Sequence, residues 1–296
     1  MSVNKYMIPA LIAVVMIAAC QGENMKVPQV KGSEIRLSAD HESRVWSAGE
    51  TVSIFDGLAN LPFTAVDSGD SSTFVSDAAL DEQLKNLYAL SPYDPTAIRT
   101  DYGLELTYPG EQHVLGSGAD SSACIAVAYT DVLAEKTHLH FMDLCCWFRF
   151  SVKASDQIVR VKLSGRDGEY LAGTVEVTFS DDEPHIAVIA GAGSVSLNSS
   201  VPMDGTYMIG VLPSVLQDGL YVVLTNAGGE TSERRVIAIN DDGVESALVF
   251  KRGRINREPL VFDDPFAPVI EVGEECWINC NVDGYFSEDL SADIWM

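Results

Sequence analysis

A thiol at position 20, a histidine pair at 138 and 140, and a scattered set of later cysteines are the side chains best placed to do chemistry. Cys20 follows Ala18 and Ala19 at the end of an apolar run over residues 6–19, with Lys5 as a charged front and Pro9 weakening it as a permanent helix. The apolar core of about 13 residues is shorter than the roughly 20 that a membrane-spanning helix needs. The layout is that of a bacterial secretory signal whose cleavage leaves cysteine as the first mature residue. Cys20 is then the lipid-attachment site. Several acyl chains there would hold the protein at a membrane, because each buried CH2 contributes about 0.8 kcal/mol and a single chain is marginal. The plainer alternative is a secretory signal with an incidental cysteine.

His138 and His140 are two apart in a β-type run, so both face one side. His-x-His is a metal-ligating pattern, and Cys146 shares that face if the strand continues regularly. The competing reading is a central core strand whose ends reach solvent, because the same run holds Trp147 and Phe148. Apart from Cys20 the cysteines are Cys124, Cys145, Cys146, Cys276 and Cys280, an odd number, so at least one thiol lacks a partner within the chain. No pair has the C-x-x-C spacing of a redox or zinc site. In an extended strand Cys276 and Cys280 would lie ~13 Å apart at about 3.3 Å per residue, so a direct disulfide would need a turn between them.

No Gly-x-Ser-x-Gly elbow occurs. Gly191-Ala192-Gly193 reads as a turn and not as a phosphate cradle. With 43 acidic against 19 basic side chains, paired carboxylates are expected by chance. No nucleophile with its base and no cofactor motif emerges, so the chain reads as a non-enzyme with no cofactor. The net charge of −24 argues against nucleic acid and anionic lipid surfaces as partners.

The elements that must position these residues are almost all strands. From about residue 33, short runs rich in Val, Ile, Tyr and Phe alternate with Gly, Asp, Asn and Ser clusters, the pattern of β-sandwiches. Strands are expected at 34–39, 51–55, 63–66, 104–108, 125–129, 138–153, 158–164, 174–179, 186–190, 194–197, 207–212, 220–225, 234–239 and 247–251. One short helix is expected over 77–90, where Leu80, Leu84 and Leu87 recur at spacings of four and three behind Asp77. The chain divides into a signal (1–19), a lipidated tether (20–33), an N-terminal sandwich (34–155), a C-terminal sandwich (156–260) and an acidic, aromatic tail (261–296).

Several pieces, in order, resemble one family. Glu34-Ile35-Arg36-Leu37-Ser38 precedes Arg44-Val45-Trp46 and Gly49-Glu50-Thr51-Val52-Ser53-Ile54-Phe55. Then come Tyr88-Ala89-Leu90-Ser91-Pro92-Tyr93, the long run from 138, and Tyr207-Met208-Ile209-Gly210-Val211-Leu212-Pro213. Together with the signal, this order over about residues 20–255 resembles the fimbrillin-like proteins of Bacteroidia, relatives of type V pilus subunits. Gly49-Glu50 stands where the family more commonly has Gly-Asp, and the tail from Leu260 matches no part of it.

The resemblance implies an all-β fold of two transthyretin-like β-sandwich domains in tandem with little helix. It also implies a surface-exposed or fimbrial lipoprotein, anchored by lipid in the outer membrane and matured by lipoprotein-processing enzymes. In such proteins a trypsin-like, arginine-specific protease cuts near the first strand, and other fimbrial subunits donate a strand to the apolar groove that opens. Carried onto this chain, the cut falls after Arg44, in the polar setting of His41-Glu42-Ser43, or after Arg36, which is less accessible within a strand. The donor strand would come from the C-terminal region, with Cys276, Ile278, Cys280 and Val282 on one face. Two other readings stay open: a non-polymerising surface lipoprotein that stacks carbohydrate on exposed aromatic rings, and a hydrolase with two converging carboxylates.

Overall fold

The computed structural model describes residues 35–273 and 277–279, apart from 58, 79, 81–85, 116–118, 131–137, 257–258 and 263–268. The described chain is all-β, with only two short 3-10 turns, Ser121–Ala123 and Ala154–Asp156.

The first ten strands are β1 (Ile35–His41), β2 (Thr51–Asp56), β3 (Ala59–Ala65), β4 (Ser71–Ser76), β5 (Leu87–Ser91), β6 (Ile98–Arg99), β7 (Gly103–Tyr108), β8 (Glu111–His113), β9 (Ala126–Thr130) and β10 (His138–Asp143). Seven of them close into a barrel in the order β1-β10-β9-β5-β2-β3-β4. The β1–β10 ladder is parallel, whereas the other six barrel ladders are antiparallel.

The chain continues through β11 (Cys146–Val152), β12 (Ile158–Ser164), β13 (Ala172–Ser180), β14 (Glu183–Ala192), β15 (Ser194–Asn198), β16 (Gly205–Val211), β17 (Ser214–Leu216), β18 (Leu220–Asn226), β19 (Thr231–Ile239), β20 (Glu245–Ser246), β21 (Leu248–Phe250), β22 (Arg254–Asn256), β23 (Leu260–Val261), β24 (Val269–Gly273) and β25 (Trp277–Asn279). Three larger sheets result, built on β16-β11-β22-β25, on β20-β19-β18-β12-β15-β8 and on β14-β13-β7-β6. Strands β7 and β8 thus pair with β13 and β15, beyond residue 155.

Two apolar cores follow from this arrangement. Leu37, Trp46, Ile54, Phe63, Phe74, Leu87 and Phe141 fill the barrel. Trp147, Phe148, Phe150, Val161, Val177, Val222 and Phe250 belong to a larger core between the other sheets. One barrel wall serves both. Leu87 and Ala89 of β5 enter the barrel core, while Tyr88 and Leu90 enter the larger one. A strand covered on both faces has no polar side, so its sequence is continuously apolar. This explains why Leu87–Ser91 is a strand although leucine spacing suggested helix; residues 81–85 of that expected helix lie outside the described residues.

The run 138–153, expected as one strand, is two. Strand β10 ends at Asp143 inside the barrel, and β11 starts at Cys146 in another sheet against β16. Leu144 and Cys145 make the step between them. Both are fully buried, so apolar character runs through the break without a turn residue to mark it.

Candidate functional site

The side chains around β1 form the densest polar arrangement on the barrel. Strand β1 alternates, with Leu37, Ala39 and His41 turned inward and buried, and Arg36, Ser38 and Asp40 turned outward. It lies antiparallel to β4 over six residue pairs, from Ile35 opposite Ser76 to Asp40 opposite Ser71. On its other side it lies parallel to β10, with Ser38 opposite His138 and Asp40 opposite His140. Inside, Trp46 meets Phe74 and Phe141 edge-on at 4.9 and 5.2 Å, and the His41 ring at 5.5 Å. Burying Leu37 alone stabilises the closed barrel by about 1.5–3 kcal/mol.

Outside, Asp40 sits between the two histidines. His138 Nε2 lies 3.0 Å from Asp40 Oδ2, and His140 Nδ1 lies 2.5 Å from Asp40 Oδ1. Ser38 Oγ holds the other nitrogen of His138 at 3.0 Å. Partial burial works against the Asp40 carboxylate, but the hydrogen bonds to His140 and His138 outweigh it and hold the carboxyl below its ordinary value. The histidine pair is therefore a clamp on β1. Cys146, the third ligand of the metal reading, lies on β11 in a different sheet and is fully buried. Among the described residues no group of His, Cys, Asp and Glu suits a metal ion.

The C-terminal end of β1 is tied down by charge. Glu42 accepts from Arg252 at 2.7 Å and from the Asp143 amide at 2.9 Å, and Arg252 also donates to Glu183 at 2.6 Å. His41 Nε2 and Asp143 Oδ1 approach to 3.8 Å in the buried interior. Burial pushes the Asp143 carboxyl up to about 7, with a hydrogen bond from Ser43 working against the rise. Burial, aided by Arg44 and His140, holds His41 well below its ordinary value. The fold thus favours the uncharged form of both.

Arg44 does not sit loosely in a loop. It donates to Glu50 at 2.7 Å and to Ser91 Oγ at 2.9 Å, and its guanidinium lies 4.7 Å from the centre of the Trp46 ring. Its side chain is only 16% exposed, so a protease can engage it only after this corner opens. Arg36 is the reverse: its side chain is exposed, while its backbone is held in the ladder opposite Val75. Cys20, Cys276, Cys280 and Val282 lie outside the described residues. Ile278 falls in β25, whose backbone pairs antiparallel with β22.

Sequence reasoning found Arg36, Arg44 and the histidine pair. It missed Asp40, His41, Glu42, Asp143 and Arg252. His41 carried a readable signal, because it continues the inward alternation of Leu37 and Ala39. Asp40, Glu42 and Asp143 are brought together by a ladder between residues 100 apart in the chain, and Arg252 reaches Glu42 from 210 residues away.

No family model and no curated protein matches this chain. Solved structures do. A proposed cell adhesion protein from Bacteroides ovatus is 13% identical, with 86% of this chain and 98% of that chain covered and a TM-score of 0.47. The tip fimbrial protein Mfa3 from Porphyromonas gingivalis, truncated at its C-terminus, is 11% identical, with 75% and 92% covered and a TM-score of 0.38. A second proposed cell adhesion protein, from Bacteroides thetaiotaomicron, is 14% identical, with 80% and 91% covered and a TM-score of 0.35.

Proposed function

We propose that this chain is a structural or adhesive subunit of a cell-surface fimbria, exported as a lipoprotein through Cys20 and assembled by replacement of its first strand. The observation that carries this reading is the place of β1. It closes a barrel whose other six strands pair with one another in an unbroken order, and its buried Leu37 and Ala39 belong to the barrel core and not to the larger one. Taking it out would leave β4 and β10 as facing edges with unpaired backbone groups, above a slot floored by Trp46, Phe74 and Phe141. Such an edge is a template for an incoming strand. A head-to-tail contact of that kind propagates as a filament when it does not close into a ring. Other fimbrial subunits are the partners on this reading, and no catalysis by the chain is required.

The carbohydrate-stacking alternative needs aromatic rings clustered on an open face. Trp46 and Trp147 are buried, and among the described residues the markedly exposed aromatics are Tyr102 and Tyr170.

The test is to treat the purified full chain with an arginine-specific protease, identify the new N-terminus by mass and inspect the product by electron microscopy. A cut after Arg44 or Arg36, followed by filaments from cut but not from intact protein, is the expected result. Cut protein that keeps β1 and stays monomeric overturns strand replacement. Cys20→Ser should move the protein from the membrane to the soluble fraction; unchanged fractionation refutes the lipid anchor.

A further inference from the structure

One arginine is buried without a carboxylate to meet it. Alternation along β19 turns Arg234, Val236 and Ala238 to one face, and Val236 and Ala238 belong to the larger core. Arg234 is only 6% exposed. Its Nη1 donates to the carbonyl of its neighbour Glu233 at 2.9 Å. Among the described residues its Nε has no hydrogen-bond partner, and no carboxylate forms an ion pair with it. Arg235, the next residue, faces the other way and holds both Asp218 and Glu245. Arg44, Arg160 and Arg252 are paired with carboxylates as well. A guanidinium keeps its charge in a protein, and a buried charge left unpaired is costly. With 43 acidic against 19 basic side chains, a partner within the chain would be easy to supply.

Arg234 lines a cavity of about 270 Å³ where β12 and β19 begin and β18 ends. The apolar wall of the cavity is Ile158, Leu224 and Phe262, all three buried. Phe262 follows β23, which pairs with β11, and its ring centre lies 6.0 Å from that of Phe150. The cavity therefore lies between two sheets, and β1 takes no part in it. Asp156 and Glu230 stand on its exposed rim. Asn226 steers Glu230, its Nδ2 donating to that carboxylate at 2.9 Å. The cavity thus combines one buried cation, an apolar wall and an anionic rim. A phosphate or a dicarboxylate would suit Arg234 but be repelled at the rim. A bare hydrocarbon would leave Arg234 unpaired.

We infer that this cavity binds a free amino acid with an apolar side chain. The ligand carboxylate goes to Arg234, whose planar fork matches a carboxylate. The ligand ammonium stays at the rim, toward Asp156 and Glu230. The ligand side chain lies on Ile158, Leu224 and Phe262. Each part of such a ligand answers one part of the cavity, and the volume, smaller than that of drug-sized sites, suits its size. The site is independent of strand replacement, because none of these residues belongs to the barrel.

The test is calorimetric titration of the full chain with L-leucine, with isocaproate and with isoamylamine. Isocaproate is leucine without its ammonium, and isoamylamine is leucine without its carboxylate. Leucine should bind, and each analogue should bind about tenfold more weakly or worse, since each gives up a charge-assisted contact. No saturable binding of leucine overturns the site, as does either analogue binding as tightly as leucine. Arg234→Met should lose leucine binding. Leucine should also raise the melting temperature of the unaltered chain but not of this variant. Unchanged leucine binding by Arg234→Met overturns the role given to the arginine. If that variant does not fold, the three titrations of the unaltered chain still decide.

Discussion

The two walls of the barrel are built to different rules. The wall of β2, β5 and β9 is apolar on both faces: Ile54, Leu87 and Ala128 fill the barrel, while Phe55, Leu90 and Val127 fill the larger core. The wall of β1, β4 and β10 is apolar inside only. Its outer face carries Arg36, Asp40, Thr73, His138 and His140, all at least partly exposed. The first wall cannot leave without exposing two cores. The second is held by one core and a set of charge contacts. A strand meant to be exchanged belongs on the second.

The comparison breaks if damage to the two walls costs the same. Leu90→Asp places an unpaired carboxylate in the larger core and should abolish cooperative folding, a loss above about 4 kcal/mol, as followed by denaturant unfolding. A variant that still unfolds cooperatively with little loss would show that this wall is not shared.

Asp143 should make the β1 wall sensitive to pH. Its carboxyl rises from 3.8 to about 7 in the fold, so the fold favours the protonated form. The stability it lends is fully present below pH 3.8 and is lost as the pH rises through about 7. His41 works in the opposite sense, its contribution being present above pH 6.5 and lost as the pH falls; it is common to both proteins compared. Asp143→Asn has no proton to lose, so its advantage over the unaltered chain should grow between pH 4 and 8 by up to about 2–4 kcal/mol. Parallel stability curves over that range would rule this out.

Glu42→Gln should cost about 1–2 kcal/mol in denaturant unfolding, because it removes a half-buried charge pair with Arg252 while keeping the shape. The smallest effect belongs to Asp40→Asn, under about 1 kcal/mol at neutral pH because the site is largely open to water. Its carboxyl is held below 3.8, so the stability it lends is present above pH 3.8 and fades as the pH falls through the lowered value. Thermal melts of the two proteins should therefore converge in acid. A gap that persists there would show that Asp40 acts through packing and not through charge.

Much of the fold was legible because most strands are wetted on one face. The punctuation of strand-type runs by turn residues marked β1, β12 and β18 close to their observed ends. It failed where burial is two-sided: β5 has no polar beat, and the β10–β11 break hides in a run of apolar residues. The site was legible in part. Arg44 was visible as a residue, but its enclosure by Glu50, Ser91 and Trp46 arises from loops and strands that meet only in the fold. His138 and His140 announced a ligand, and the ligand is the carboxylate of Asp40 on a strand one hundred residues earlier.

That parallel ladder has a consequence for the order of events during synthesis. Ser38 and His138 are 100 residues apart, and chains grow at about 5–20 residues per second, so β1 emerges roughly 5–20 seconds before the strand it must lie against. Throughout that interval the barrel has no closing seam. Strand β1 can pair with β4 well before, but the closing ladder must wait for β10, the last barrel strand made, and that wait is entropic as well as temporal, since distant ends must meet before any contact rewards them. A newborn chain therefore passes through an open-seamed form.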